Sequence, residues 1–151
     1  MKKLTLIILL IIFNTMLFAQ NINDSLYQAV VNNDTTAIKY FVKRGADVNF
    51  VKQQGWVKIN LLITAVNKKN ADAVNILLQN GADVNWEDGF NSTALMYAAN
   101  SGRVDIVKLL LDNRADIMHK DKQGNDAVSA AKEKKYDDVV KLLEAKLKEK
   151  K

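Results

Sequence analysis

Apolar residues recur along this chain at two spacings. Within short windows they fall at i, i+3 and i+4, as in Ile38, Phe41 and Val42, then Val74, Leu77 and Leu78, then Val107, Leu110 and Leu111. That spacing lines one side of a helix. On a longer scale the windows themselves return. Ile38 to Asn49, Val74 to Asn85 and Val107 to Met118 read alike, at offsets of 36 and 33 residues, and Val140 to Ala145 follows by another 33. Such a period means one supersecondary unit stacked four times.

Each unit predicts two helices. In the third, Thr93 is placed to cap a short helix that reaches about Asn100, and its small Ala98 and Ala99 admit a neighbouring helix. Gly102 turns the chain, and a second helix runs from about Val104 to Asp112 before ending near Arg114. The other first helices have Asp24, Asn60 and Asp126 as caps, ahead of Leu26/Ala29/Val30, Leu62/Ala65/Val66 and Val128/Ala131. The fourth stripe is Val140 and Leu143. Gly45 and Gly81 stand just past their helices, where a left-handed residue is wanted, and Asp47 and Asp83 suit the turn that follows.

The string Thr93-Ala94-Leu95-Met96-Tyr97-Ala98-Ala99, with Gly102, Ile106 to Leu110 and two Gly-Ala-Asp-Val-Asn strings, resembles the ankyrin repeat family over nearly all of residues 23–145. The resemblance implies an all-α ankyrin repeat solenoid of four helix-turn-helix units with short β-hairpin or loop fingers, at about 23–50, 59–87, 88–120 and 121–148. The sequence departs from the family pattern in several places. It has no proline, and Leu61, Ala94 and Ala127 stand where the family has one. Ile63, Met96 and Ser129 replace the usual histidine, which predicts weaker links between loops. Arg114 replaces a helix-ending glycine, at a cost of ~1 kcal/mol if its φ is positive. The surplus of the first interval falls within Phe50 to Ile59, so the first finger is expected to be an enlarged loop.

Residues 1–19 read as a signal peptide, leaving 20–151 as the repeat domain. Lys2 and Lys3 precede an apolar run from Leu4 to Phe13, and Ala19-Gln20 is the expected junction, with the large Leu17 blurring the cut. The run falls short of the ~20 residues a bilayer span needs, so an uncleaved anchor is the lesser reading and no stable span is expected after cleavage. With no cysteine, disulfides, thiolate metal sites and a lipid-modified N-terminus are excluded. The formal charge of +5 falls to +3 without Lys2 and Lys3, too little for a nucleic-acid footprint. The lysine pair, short run and Ala-Gln junction look bacterial, implying a periplasmic or secreted protein. The polar first unit and lysine-rich fourth are what a solenoid needs at its ends, so a complete, monomeric array is expected. The lysines of that last unit serve as a solvated cap, or alternatively as a grip on an acidic partner or anionic surface.

Catalytic chemistry is sparse. His119, the one histidine, is expected as an exposed finger residue, and no serine has a histidine at helical or template distance. Asp137-Asp138 suits a helix start, and Glu87-Asp88 suits a turn. No Gly-rich phosphate loop follows a strand. No cofactor or metal is expected, and the chain reads as a non-enzyme. The resemblance implies a protein partner gripped by the fingers and the exposed sides of the first helices. The residues placed there are Trp56, Trp86, Phe90, Tyr97, Asn100, Ser101 and Lys122. Aromatic residues suit binding hot spots, but Trp56 and Trp86 could equally pack between fingers, and for Phe50 and Phe90 such packing is the favoured reading. Such a module would be an adaptor, inhibitor or protective partner of another exported protein. A secreted effector or toxin-associated factor is the alternative, and a hydrolase at Glu87 and Asp88 a remote one.

Overall fold

The computed structural model describes residues 2–149 apart from Trp56. Four helix pairs stack side by side: α1 (Lys2–Val31) with α2 (Thr35–Lys43), α3 (Leu61–Asn67) with α4 (Ala71–Gln79), α5 (Ala94–Asn100) with α6 (Val104–Asp112), and α7 (Ala127–Glu133) with α8 (Asp137–Glu149). The first helices form one row, α1–α3–α5–α7, and the second helices another, α2–α4–α6–α8. The apolar stripes meet between the rows. Leu26, Leu62, Leu77, Leu95, Ile106, Leu110 and Leu143 are fully buried in one continuous core.

The helix ends repeat the same geometry. After each first helix a residue takes positive φ: Asn33, Lys69, Gly102 and Lys135, in register through all four units. Two amides there close back on the helix, as Gly102 N to Ala99 O and Arg103 N to Ala98 O. This paired bonding satisfies carbonyls a helix end leaves open. Gly45, Gly81 and Arg114 do the same after the second helices, Arg114 at φ +67. The expected strain at Arg114 is therefore present. Arg114→Gly should raise the unfolding free energy by up to ~1 kcal/mol, read from the urea midpoint at constant m-value.

The surplus residues of the first finger make a hairpin. β1 (Val51–Gln54) pairs antiparallel with β2 (Val57–Asn60), Val51 opposite Asn60 and Gln54 opposite Val57. The later fingers have no strand among the described residues.

The structure corrects several expectations. α1 runs unbroken through residues 19 and 20, so Asp24 lies inside a helix and caps nothing; no glycine or proline interrupts the segment. Its carboxylate instead accepts a hydrogen bond from Lys52 Nζ at 2.6 Å, tying α1 to the first finger. Asn60 and Asp126 do cap, accepting from Ile63 N and Ser129 N, the latter within a capping box. Thr93 holds the cap position with no side-chain cap bond. In the fourth unit Val139 is buried and Val140 only partly.

The expected weakness between loops is offset by asparagines. Asn23 Oδ1 accepts from Asp47 N, Asn49 Oδ1 from Asp83 N, and Asn85 Oδ1 from Asp116 N, at 2.7–2.8 Å. Asn49 and Asn85 also donate to Gly81 O and Arg114 O. Each of these aspartates also braces its own turn, its carboxylate accepting from the amide two residues on. Met118 stands where Asn49 and Asn85 do, and the ladder stops there.

Candidate functional site

The second and third fingers are clamped together. His119 Nε2 donates to Asn91 O at 2.8 Å, Lys122 N to Phe90 O at 3.1 Å, and Lys122 Nζ to Gly89 O at 2.7 Å. Three successive carbonyls of one finger are thus held by the next. His119 is half-buried rather than exposed, with Glu87 Oε1 3.8 Å from its Nδ1. Phe50, Trp86 and His119 share one position of the repeat. Phe50 and Trp86 are partly buried and packed on the core, as rings filling the space between neighbouring units would be.

Asp88 organises the second finger. Its Oδ1 accepts from Phe90 N and Ser92 N, and its Oδ2 accepts from the Tyr97 hydroxyl at 2.6 Å. Asp121, one period later, accepts from Gln123 N and Asn125 N in the same way. Asp88 is thus committed to holding a loop and a tyrosine. The Tyr97 phenol is pushed up to about 12, first by burial and then by the bond to the Asp88 carboxylate and its charge. A raised pKa means that the fold favours the neutral phenol. That stability is fully present below pH 10.0 and is lost as the pH rises through about 12. The urea-midpoint gap between wild type and Tyr97→Phe should therefore narrow over that interval.

The proposed binding residues fall in different settings. Trp56 lies outside the described residues. Trp86 is half-buried and packed against the core. Phe90, by contrast, is 64% exposed at the fingertip. Asn100 is exposed at the end of α5. Ser101 Oγ is turned back to Ala98 O, and the Lys122 ammonium is tethered to the second finger. Tyr97 and Asn100 meet in a hollow of about 190 Å³ between α5, α7 and the third finger. Ser92, Met96, Asp121, Asn125, Ala130 and Glu133 complete its wall. Sequence reasoning missed Asp121 and Asn125 there. Their signal was the register of Asp121 with Asp88, since both open a finger.

The comparisons with known proteins agree with this architecture. A family model described as ankyrin repeats in three copies matches residues 4–88, 26–121 and 61–150. The chain belongs to the ankyrin repeat family. An ankyrin repeat protein of Acanthamoeba polyphaga mimivirus is 37% identical over 54 residues, a match spanning 34% of this chain and 33% of the viral protein. Ankyrin repeats are in general non-catalytic protein–protein interaction modules.

Proposed function

We propose that this chain is an exported protein-binding module of a bacterial envelope. It acts as an adaptor, inhibitor or protective partner of another exported protein. The observation that carries the reading is the open finger face: Phe90 projects from a clamped fingertip, and Asn100 is exposed at the end of α5 on the first-helix row. A rigid finger with an exposed ring presents contact area with little ordering cost on binding. The export step rests on the leader pattern of residues 1–19. The exposure of Ile11, Phe13, Met16 and Leu17, outside the packed array, favours it.

The test is capture of exported proteins on the immobilised chain. Phe90→Ala with Asn100→Ala should abolish capture of the bound protein while far-UV circular dichroism stays unchanged. Undiminished capture by the double variant would remove this face from the account. Cell fractionation tests the rest: the protein should leave the cytoplasm, and deletion of residues 2–19 should keep it there.

A further inference from the structure

The hollow beside Tyr97 has a chemical character that names what it takes. Its floor is apolar, made by the buried Met96 and by Ala130. Its rim carries two carboxylates, Asp121 and Glu133, and no basic side chain lines it. This is unusual for a chain of formal charge +5. Other hollows on the surface carry Arg114 and Lys146, or Arg44. One wall is the Tyr97 ring, whose hydroxyl is held as a donor by Asp88. An aromatic ring and carboxylates both attract a cation, and the apolar floor suits an aliphatic stem.

We propose that this hollow receives one cationic side chain of the bound protein, arginine in preference to lysine. The inference deepens the protein-binding reading and rests on it. Arginine is favoured because the acceptors are spread around the rim, on Asp121, Glu133 and the amide oxygens of Asn100 and Asn125. A planar fork of donors reaches several of them at once, where an ammonium is a point charge. The resident competitor is Lys134, 3.0 Å from Glu133 Oε1, in a pair whose side chains are 44% and 74% exposed. Exposed pairs of this kind contribute little, so a partner's guanidinium can displace it.

The experiment uses the peptide acetyl-Gly-Arg-Gly-amide and its lysine, norleucine and glutamate counterparts. Each is titrated into the labelled chain, following the side-chain amides of Asn100 and Asn125 by NMR. The arginine peptide should give saturable shifts at both amides, the lysine peptide weaker ones, and the other two none. Glu133→Gln should weaken the arginine peptide about tenfold by removing one charged acceptor, and Ala130→Leu should abolish the shifts by filling the floor. No saturable shift with the arginine peptide, or equal shifts with norleucine, overturns the proposal. The broader reading fails separately, through capture that survives the Phe90 and Asn100 double substitution.

Discussion

Leu110→Ala should lower the unfolding free energy by about 2–5 kcal/mol. Leu110 is completely buried in α6, which packs against α4, α5 and α8. Truncating it removes the transfer energy of the lost carbons and leaves a hole that short, mutually braced helices fill poorly. In a linear stack each unit contacts only its neighbours, so the loss weakens both interfaces of the third unit together. Thermal unfolding followed by circular dichroism should show a midpoint roughly 5–20 °C lower. Leu111→Ala, at a half-buried position of the same helix, should cost clearly less. A midpoint equal to wild type for Leu110→Ala would reject the core assignment.

Gly102→Ala should be the next most damaging single change. Gly102 sits at φ +69, and a Cβ built there would lie 2.7 Å from Cδ1 and Cε1 of Tyr136. Two costs combine. The left-handed backbone costs a residue with a Cβ about 1–2 kcal/mol, and the ring must also move. Asn33, Lys69 and Lys135 bear side chains in the same conformation at the same place, so backbone strain alone is tolerated there. The close approach of Tyr136 is the feature that demands glycine. In a Tyr136→Ala background the substitution should therefore cost markedly less than in wild type, a coupling that a double-mutant cycle on denaturant midpoints measures. Equal costs in both backgrounds would show that the ring plays no part.

Much of the fold was legible because its signals are periodic. The stripes at Val74 to Leu78 and Val107 to Leu111 are helical patterns repeated in phase, and the surplus near Phe50 to Ile59 marked the enlarged finger. The start of the first unit was misread for a physical reason. Asp24 has the chemistry of a cap, but a cap forms only where the backbone leaves the helix, and nothing before Asp24 makes it do so. The asparagine links were hidden in another way. Asn49 and Asn85 look like ordinary turn residues until the stacking of units brings Asp83 N and Asp116 N within reach. At the site, exposure was the uncertain quantity. The sequence left Trp86 divided evenly between binding and packing and favoured packing for Phe90, whereas burial places Trp86 partly inside and leaves Phe90 outside.

The asparagine ladder has a direction, and direction makes the two ends of the array unequal. Both rungs that cross between units, Asn49 to Asp83 N and Asn85 to Asp116 N, run from an earlier unit to a main-chain donor in the later one. Stripping a unit from the front leaves a backbone amide of its successor without its acceptor. Stripping the fourth unit breaks no rung, and stripping the third as well strands only the Asn85 side-chain amide, which can swing out to water. Trimming experiments should therefore find this stack far more forgiving at its tail than at its head.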